Sequence, residues 1–231
     1  MDRTDTKYLF TSTRLPLILD ELKKDYRVLE INGNRVSQYE SLYLDTRNFD
    51  LFHQHRRGKA NRFKVRFRKY VESELTFFEV KFKNNKGRTI KDRVKHKQQI
   101  DGAVKDKAEI LLKEKTTLNA ASLEAKLWVN YSRITFVNKN SPERVTIDLN
   151  LTFKNKEQDR LIQNLVIAEV KQDKATTSSF IKLMKKHHIR EGSISKYCFG
   201  VISLFENIKH NNFKPKLTAL NKIRYATIAS A

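Results

Sequence analysis

Residues 62 to 68, Arg-Phe-Lys-Val-Arg-Phe-Arg, put a cation at every even position and an apolar residue at every odd one. Successive side chains of a strand point to opposite faces, so one face of this segment is wholly cationic and the other greasy. The scheme recurs along the chain. In FFEVKFK, Glu79, Lys81 and Lys83 oppose Phe78, Val80 and Phe82, and Lys91, Arg93 and Lys95 are again two apart. Tyr131, Arg133 and Thr135 oppose Ile134 and Phe136; Arg144, Thr146, Asp148 and Asn150 oppose Val145, Ile147 and Leu149; Glu169 and Lys171 oppose Ala168 and Val170.

An antiparallel sheet with one wet face and one core face would give such alternation with no special function. Two features favour a different arrangement. Solvent faces intersperse both signs, whereas the 62–68 face is uniformly cationic, and like charges opposed across strands are destabilising. The predicted helices also carry apolar residues that need a partner, which the outward apolar strand faces supply. The expected fold is therefore α+β, a closed antiparallel β-barrel with helices packed outside and a polar, basic lumen. With 47 Lys and Arg against 26 Asp and Glu, the formal charge of +21 calls for a polyanionic partner. Charge alone does not choose among nucleic acid, a membrane surface, nucleotides and polyphosphate.

The spacing predicts a helix over 14–25, a strand over 38–45, and a short helix at FDLFHQHRR that Gly58 ends. Strands follow over 62–70, 75–83 and 88–95, then a weakly amphipathic helix over 97–114. Three further strands fall at 127–137, 144–153 and 164–172, and closing helices at 176–190 and 195–206. Residues 1–206 read as one domain, and 207–231 as a weakly attached tail without strong periodicity.

A purely cationic grip needs no carboxylates, yet Glu79, Asp148 and Glu169 fall on the cationic faces. Each either neutralises a neighbouring Lys or Arg or offers a hard oxygen to Mg²⁺ or Mn²⁺ bridging phosphates. Glu169 reads as the metal ligand, with Glu79 the second candidate. The pairs His53/His55 and His187/His188 have no acidic or cysteine partners for zinc, and Ser195 beside Lys196 lacks the rest of a nucleophilic site. The lone Cys198 excludes an intrachain disulfide, reads as packing and points to a reducing cytoplasm. No apolar run reaches membrane-spanning length and the start is not a signal peptide, so any membrane association would come through a separate partner protein at the inner face. There is no Gly-rich phosphate loop, so side chains must hold any nucleotide.

RTDTKY, SLYLDT, KVRFR, FFEVKFK with a following KDR, YSRITF, RVTIDLNL, IAEVK and SKYCFG occur in an order and spacing that resemble the vacuolar transporter chaperone family. These are polyphosphate polymerases within the triphosphate tunnel metalloenzyme superfamily. The resemblance covers about residues 3–206. It implies a tunnel of about eight strands that binds the triphosphate of ATP and passes its terminal phosphate to a polyphosphate chain, aided by Mn²⁺ or Mg²⁺. It further implies phosphate contacts from Lys7, Arg66, Arg68, Lys81, Lys91, Arg133, Arg144, Lys171 and Lys196, with Arg93 and Ser195 as neighbours and Glu169 as metal ligand. Two departures stand out. Asp5 replaces the usual Glu of the opening motif, one methylene shorter, and Ser193 stands where some relatives place a Lys.

Three functions follow for comparison: a polymerase using ATP or another nucleoside triphosphate, a tunnel hydrolase of triphosphate or short polyphosphate, and a non-catalytic binder of polyphosphate or nucleic acid. Asp5 argues against the hydrolase. The phenylalanines fall opposite the cations, which leaves no stacking platform for nucleic acid.

Overall fold

The computed structural model describes residues 3–173 and 177–226. In chain order the elements are β1 Arg3–Phe10, α1 Leu15–Leu22, β2 Tyr26–Val28, β3 Val36–Thr46, α2 Asp50–Arg56, β4 Arg62–Tyr70, β5 Leu75–Lys83 and β6 Thr89–His96. There follow α3 Asp106–Lys115, β7 Leu123–Asn138, β8 Arg144–Lys154, β9 Asp159–Leu161, β10 Val166–Asp173, α4 Ser179–Lys186, α5 Lys196–Leu204 and α6 Lys214–Arg224. Every predicted strand is present. The helix expected over 97–114 is confined to α3, because the stretch before it holds Gly102 at φ +87, outside the helical region. The first residue of the helix expected over 176–190 lies outside the described residues.

One antiparallel sheet runs β1-β10-β8-β7-β3-β4-β5-β6, with β2 on β7 and β9 on β8. It curls, since Lys7 of β1 lines the same cavity as Lys64 of β4, Lys83 of β5 and Thr89 of β6. The expected closed barrel is not formed as a continuous ladder: β1 and β6 end the path and no pairing among the described residues joins them. In their place Gly192 N–H donates to the Lys7 carbonyl at 2.9 Å and Ser195 Oγ accepts from Lys64 Nζ at 3.0 Å, so the chain leading into α5 spans part of the gap.

Two apolar clusters lie on the outer face. Ile18 and Leu22 of α1 and Phe180 and Met184 of α4 pack on Tyr8, Phe10, Phe136, Val145, Ile147, Val166, Ala168 and Val170. Ala108 and Leu112 of α3 pack on Leu42, Leu44, Val65, Phe67, Phe78 and Val80. These three helices are outside, as expected. Helix α5 is not. It lies on the inner face, where Tyr197, Val201 and Leu204 cluster with Leu9, Tyr43, Leu127, Val129, Leu151, Phe153 and Ile167.

The reason is a bulge. Asn150 takes φ +53 and the β7–β8 register shifts between Asn130 and Ser132. Past it the side-chain parity of β8 reverses. Val145 and Ile147 face out, but Leu151 and Phe153 face in, so one end of the inner face is apolar and is covered by α5. The alternation expected through Asn150 therefore holds only to Leu149. Asp45 ties these parts together, accepting from Leu51 N and Phe52 N at 2.9 Å each and from the Tyr197 hydroxyl.

Gly200 allows α5 its close approach, because a Cβ there would stand 2.4 Å from Leu127 Cδ1 and 2.8 Å from Phe153 Cδ1. Gly200→Ala is expected to destabilise by about 1–2 kcal/mol, overpacking outweighing the gain in helix propensity. Thermal melting checks this as a fall in Tm of roughly 2–8 °C.

The reading of 207–231 as a loose tail is corrected for its described part. Residues 214–224 form α6, Leu220 is 1% exposed, and Phe213, Leu217 and Ile223 pack against the α5 cluster. The apolar positions 213, 217 and 220 are helically spaced, a pattern too short to stand out among the polar residues around it. Residues 227–231 lie outside the described residues. No helix among those described is long and apolar enough to cross a membrane.

Candidate functional site

The charged part of the inner face is built in rows across the strands. Arg66, Glu79 and Arg93 are in register on β4, β5 and β6. Arg66 Nε donates to Glu79 Oε2 at 2.8 Å, Arg66 Nη1 donates to the Tyr43 hydroxyl at 2.8 Å, and Lys91 Nζ donates to Glu79 Oε1 at 3.1 Å. Glu79 has no exposed surface. Burial opposes its ionisation, but the charges of Arg66, Arg68 and Lys91 outweigh that and hold its pKa at about 2.

The adjoining row is Lys64, Lys81 and Lys91, again in register. Neighbouring strands lie about 4.8 Å apart, so three ammonium stems stand side by side. Of the three, Lys91 is paired to Glu79 and Lys64 donates to the neutral Ser195 hydroxyl. The charge of Arg66, then burial, then Arg68 push the Lys81 pKa well below its usual value. Burial, with Lys7 and Arg62 adding to it, also lowers Lys64.

The opposite wall comes from β1, β10, β8 and β7. Arg133 holds Asp148 in a bidentate pair, Nε to Oδ1 at 2.6 Å and Nη2 to Oδ2 at 2.8 Å, and Lys196 from α5 reaches the same carboxylate. Glu169 receives Lys171 at 2.6 Å and Lys7 at 3.8 Å, while Lys171 also bonds Asp5 at 2.8 Å. Asp5, despite its shorter side chain, thus reaches the lysine directly opposite it on β10. Burial raises the Glu169 pKa, but Lys7 and Lys171 override this and bring it to about 2.

Between the walls stands an aromatic pair, Tyr39 stacked on Tyr131 with ring centroids 5.2 Å apart. Arg133 lies 5.0 Å and 5.2 Å from their centroids, and Lys196 lies 4.4 Å from Tyr131. Arg68 sits over both rings and donates to Ser41 Oγ at 3.1 Å. Such contacts orient a cation without neutralising it.

The structure therefore gathers Lys7, Arg66, Arg68, Lys81, Lys91, Arg133, Lys171, Ser195 and Lys196 around one curled face. Arg93 and Arg144 are exposed. Arg93 lies over the Phe77 ring at 4.5 Å, and Arg144 is opposed to Lys171 at the far end of the β10 pairing. Sequence reasoning placed Lys64 on the cationic face but not in the site, and it missed Tyr39, Tyr43 and Tyr131 as supports. Their signal was the alternation itself, since Tyr39, Ser41 and Tyr43 share parity on one strand and Tyr131 shares parity with Arg133 on another.

Among the described residues no three His, Cys, Asp or Glu side chains converge on a metal position. Glu79 does not fit the role expected of it: both oxygens are occupied by cations and the side chain is sealed from solvent. A hydrated divalent ion would have to break both pairs to reach it. Glu169 fits better, as a partly exposed hard-oxygen donor bordering the charged face. Mg²⁺ commonly takes only one or two carboxylates and completes its shell with phosphate oxygens and water.

Because Glu79 and Glu169 have folded pKa values near 2, lower than an unfolded glutamate at about 4.3, their contribution to stability is present above the unfolded value and is lost as pH falls. Set against a Glu79→Gln/Glu169→Gln variant, the wild type's share of the denaturant midpoint due to these two acids is expected to be level between about pH 5 and 7 and to shrink from about pH 4.5 towards pH 2.

Among curated proteins none matches the sequence. Two solved structures align over nearly the whole fold. A proposed adenylate cyclase from Bacillus halodurans gives a TM-score of 0.57 at 13% identity, covering 89% of this chain and 100% of its own. A proposed adenylyl cyclase from Hippeastrum, described as having a dominant triphosphatase activity, gives 0.57 at 14% identity, covering 91% and 100%. At these identities the likeness shows the shared tunnel fold and no more. The VTC domain model matches residues 2–205, a span that holds every side chain of the two charged walls. The chain therefore belongs to the VTC domain family.

Proposed function

We propose that this protein is a polyphosphate polymerase, transferring the terminal phosphate of a nucleoside triphosphate, ATP foremost, to a growing inorganic polyphosphate chain. The observation that carries the reading is the Lys64–Lys81–Lys91 row, three in-register cations of which, among the described residues, Lys91 alone meets a carboxylate. Half-buried like charges without counterions are costly. A linear chain of phosphates, one charge or more per unit, fits such a row as a single compact anion does not.

Phosphoryl transfer asks little covalent chemistry of a protein, so positioning and charge stabilisation carry the rate. Arg66 and Arg68, fixed by Glu79, Tyr43 and Ser41, present guanidinium groups that need no rearrangement when charge develops on the transferred phosphoryl. Lys81, between them and Lys91, is placed to take up charge on bridging oxygens. Arg133 and Lys196, held on Asp148 and Tyr131, face the same space from the other wall. The acceptor is an ionised phosphate, so no general base is required. Glu169 would hold a divalent cation, Mn²⁺ or Mg²⁺, which supplies charge neutralisation and Lewis acidity to phosphate oxygens.

Incubation with ATP and Mn²⁺ followed by gel sizing tests the proposal. The expected result is a ladder of long phosphate chains with stoichiometric nucleoside diphosphate. Release of orthophosphate without polymer would overturn it in favour of a tunnel hydrolase, and binding without turnover in favour of a polyphosphate-binding protein.

A further inference from the structure

We infer that the cavity enclosed by α5, α6 and the inner ends of β1, β4 and β5 is a second anion site, which takes a phosphate oxyanion that fastens α6 to the sheet. The cavity measures about 290 Å³. Lys7, Arg62, Lys64, Lys83 and Lys216 line it together with His55, and no described carboxylate does.

The contrast with the charged walls is what points to a ligand. There acids stand among the cations, Glu79 with Arg66 and Lys91, Asp148 with Arg133 and Lys196, and Glu169 with Lys171. In the cavity Lys7 keeps only a 3.8 Å contact with Glu169, which lies outside the lining, and the others with partners meet neutral ones: Lys64 Nζ donates to Ser195 Oγ at 3.0 Å, and Arg62 donates to His55 Nδ1 at 3.2 Å and to the Lys59 carbonyl at 2.7 Å. Burial, and then the charges of Lys64, Arg62, Lys216 and Lys83, push the His55 pKa down to about 3. His55 is thus a neutral acceptor in a strongly positive space. Five positive groups around so small a volume repel one another and Lys64 also loses hydration, and a bound anion relieves both costs.

Helix α6 gives the site its consequence. Lys216 belongs to it, while the family match ends at residue 205, so this wall lies beyond what the VTC domain shares. Apart from Leu220 and the partly buried Leu217, Ile223 and Arg224, α6 is exposed, with Phe213 packing just before it. An anion bridging Lys216 to Lys64 and Lys83 would add to the apolar contacts that hold α6, and anion binding and α6 docking become one linked equilibrium. The same chemistry has two sources: free orthophosphate, or part of a long phosphate chain held in the tunnel. Only the second source rests on the function proposed above.

The test compares the full chain with a Lys83→Glu/Lys216→Glu variant. Both side chains are exposed, and ligand-free melting is the control that the variant keeps the fold. Calorimetric titrations use orthophosphate, tripolyphosphate and long-chain polyphosphate. Tripolyphosphate affinity is expected to stay within about twofold, while the affinity for orthophosphate, long polyphosphate or both falls by about tenfold or more, as expected when close charge pairs are reversed. A loss confined to orthophosphate identifies the free ion as occupant, and one confined to long polyphosphate identifies the tunnel chain. Unchanged affinity for all three anions would overturn the inference, as would an equal loss for tripolyphosphate, which would mean a single site. Failure to make polymer from ATP would defeat the proposed function and leave these binding results standing.

Discussion

Arg66→Ala is expected to abolish polymer formation from ATP and to cost the fold heavily as well. The guanidinium contacts both Glu79 and Tyr43 and is 4% exposed. Its removal leaves a sealed carboxylate with Lys91 as its remaining charged hydrogen-bond partner, and breaking a buried pair from one side costs about 3–5 kcal/mol. Loss of a fixed donor at the developing charge lowers turnover by about 10²–10³-fold. The two effects separate in Arg66→Met/Glu79→Leu, which removes both charges and keeps apolar volume. That variant should melt near the wild type and remain inactive. Arg66→Lys should fall between, keeping charge but losing the forked contact. Wild-type turnover in the folded double variant would remove Arg66 from the mechanism.

How much of this was legible follows from the physics of each part. The cationic face of β4 could be read directly because strand parity is strict and Arg62 to Arg68 contains no interruption. The outer clusters followed, since Val65, Phe67, Phe78 and Val80 had to be covered by something. The place of α5 was not legible. It depends on Asn150 adopting a positive φ, a single local choice that reverses the facing of Leu151 and Phe153 and so turns part of the lumen apolar. Glu79 was ambiguous for a similar reason: parity put it on the right face, but only the register against Arg66 and Lys91 shows it spent on ion pairs. The gap between β1 and β6 is a property of curvature, which no alternation encodes.

Lys81 carries the opposite trade. Nothing in the sequence marks it off from Lys83, yet its position between Lys64 and Lys91, beside Arg66, makes its charge a burden on the fold. Its folded pKa lies below the unfolded one, so the penalty is fully present below the folded value and fades as pH rises from there to the unfolded value of about 10.4. Lys81→Met is therefore expected to raise the ligand-free Tm at pH 7, by about 2–4 °C if the relief is ~1 kcal/mol, with the advantage shrinking in alkaline buffer. The same variant should lose about 10²-fold or more in polymer formation. Added tripolyphosphate should then stabilise the wild type more than the variant, because the anion supplies the wild-type lysine with the partner that the protein withholds. A variant that is both less stable and less active would make Lys81 an ordinary structural residue. One that is more stable and equally active would show that the lysine row is not the seat of the chemistry, and the proposed function would lose the observation it stands on.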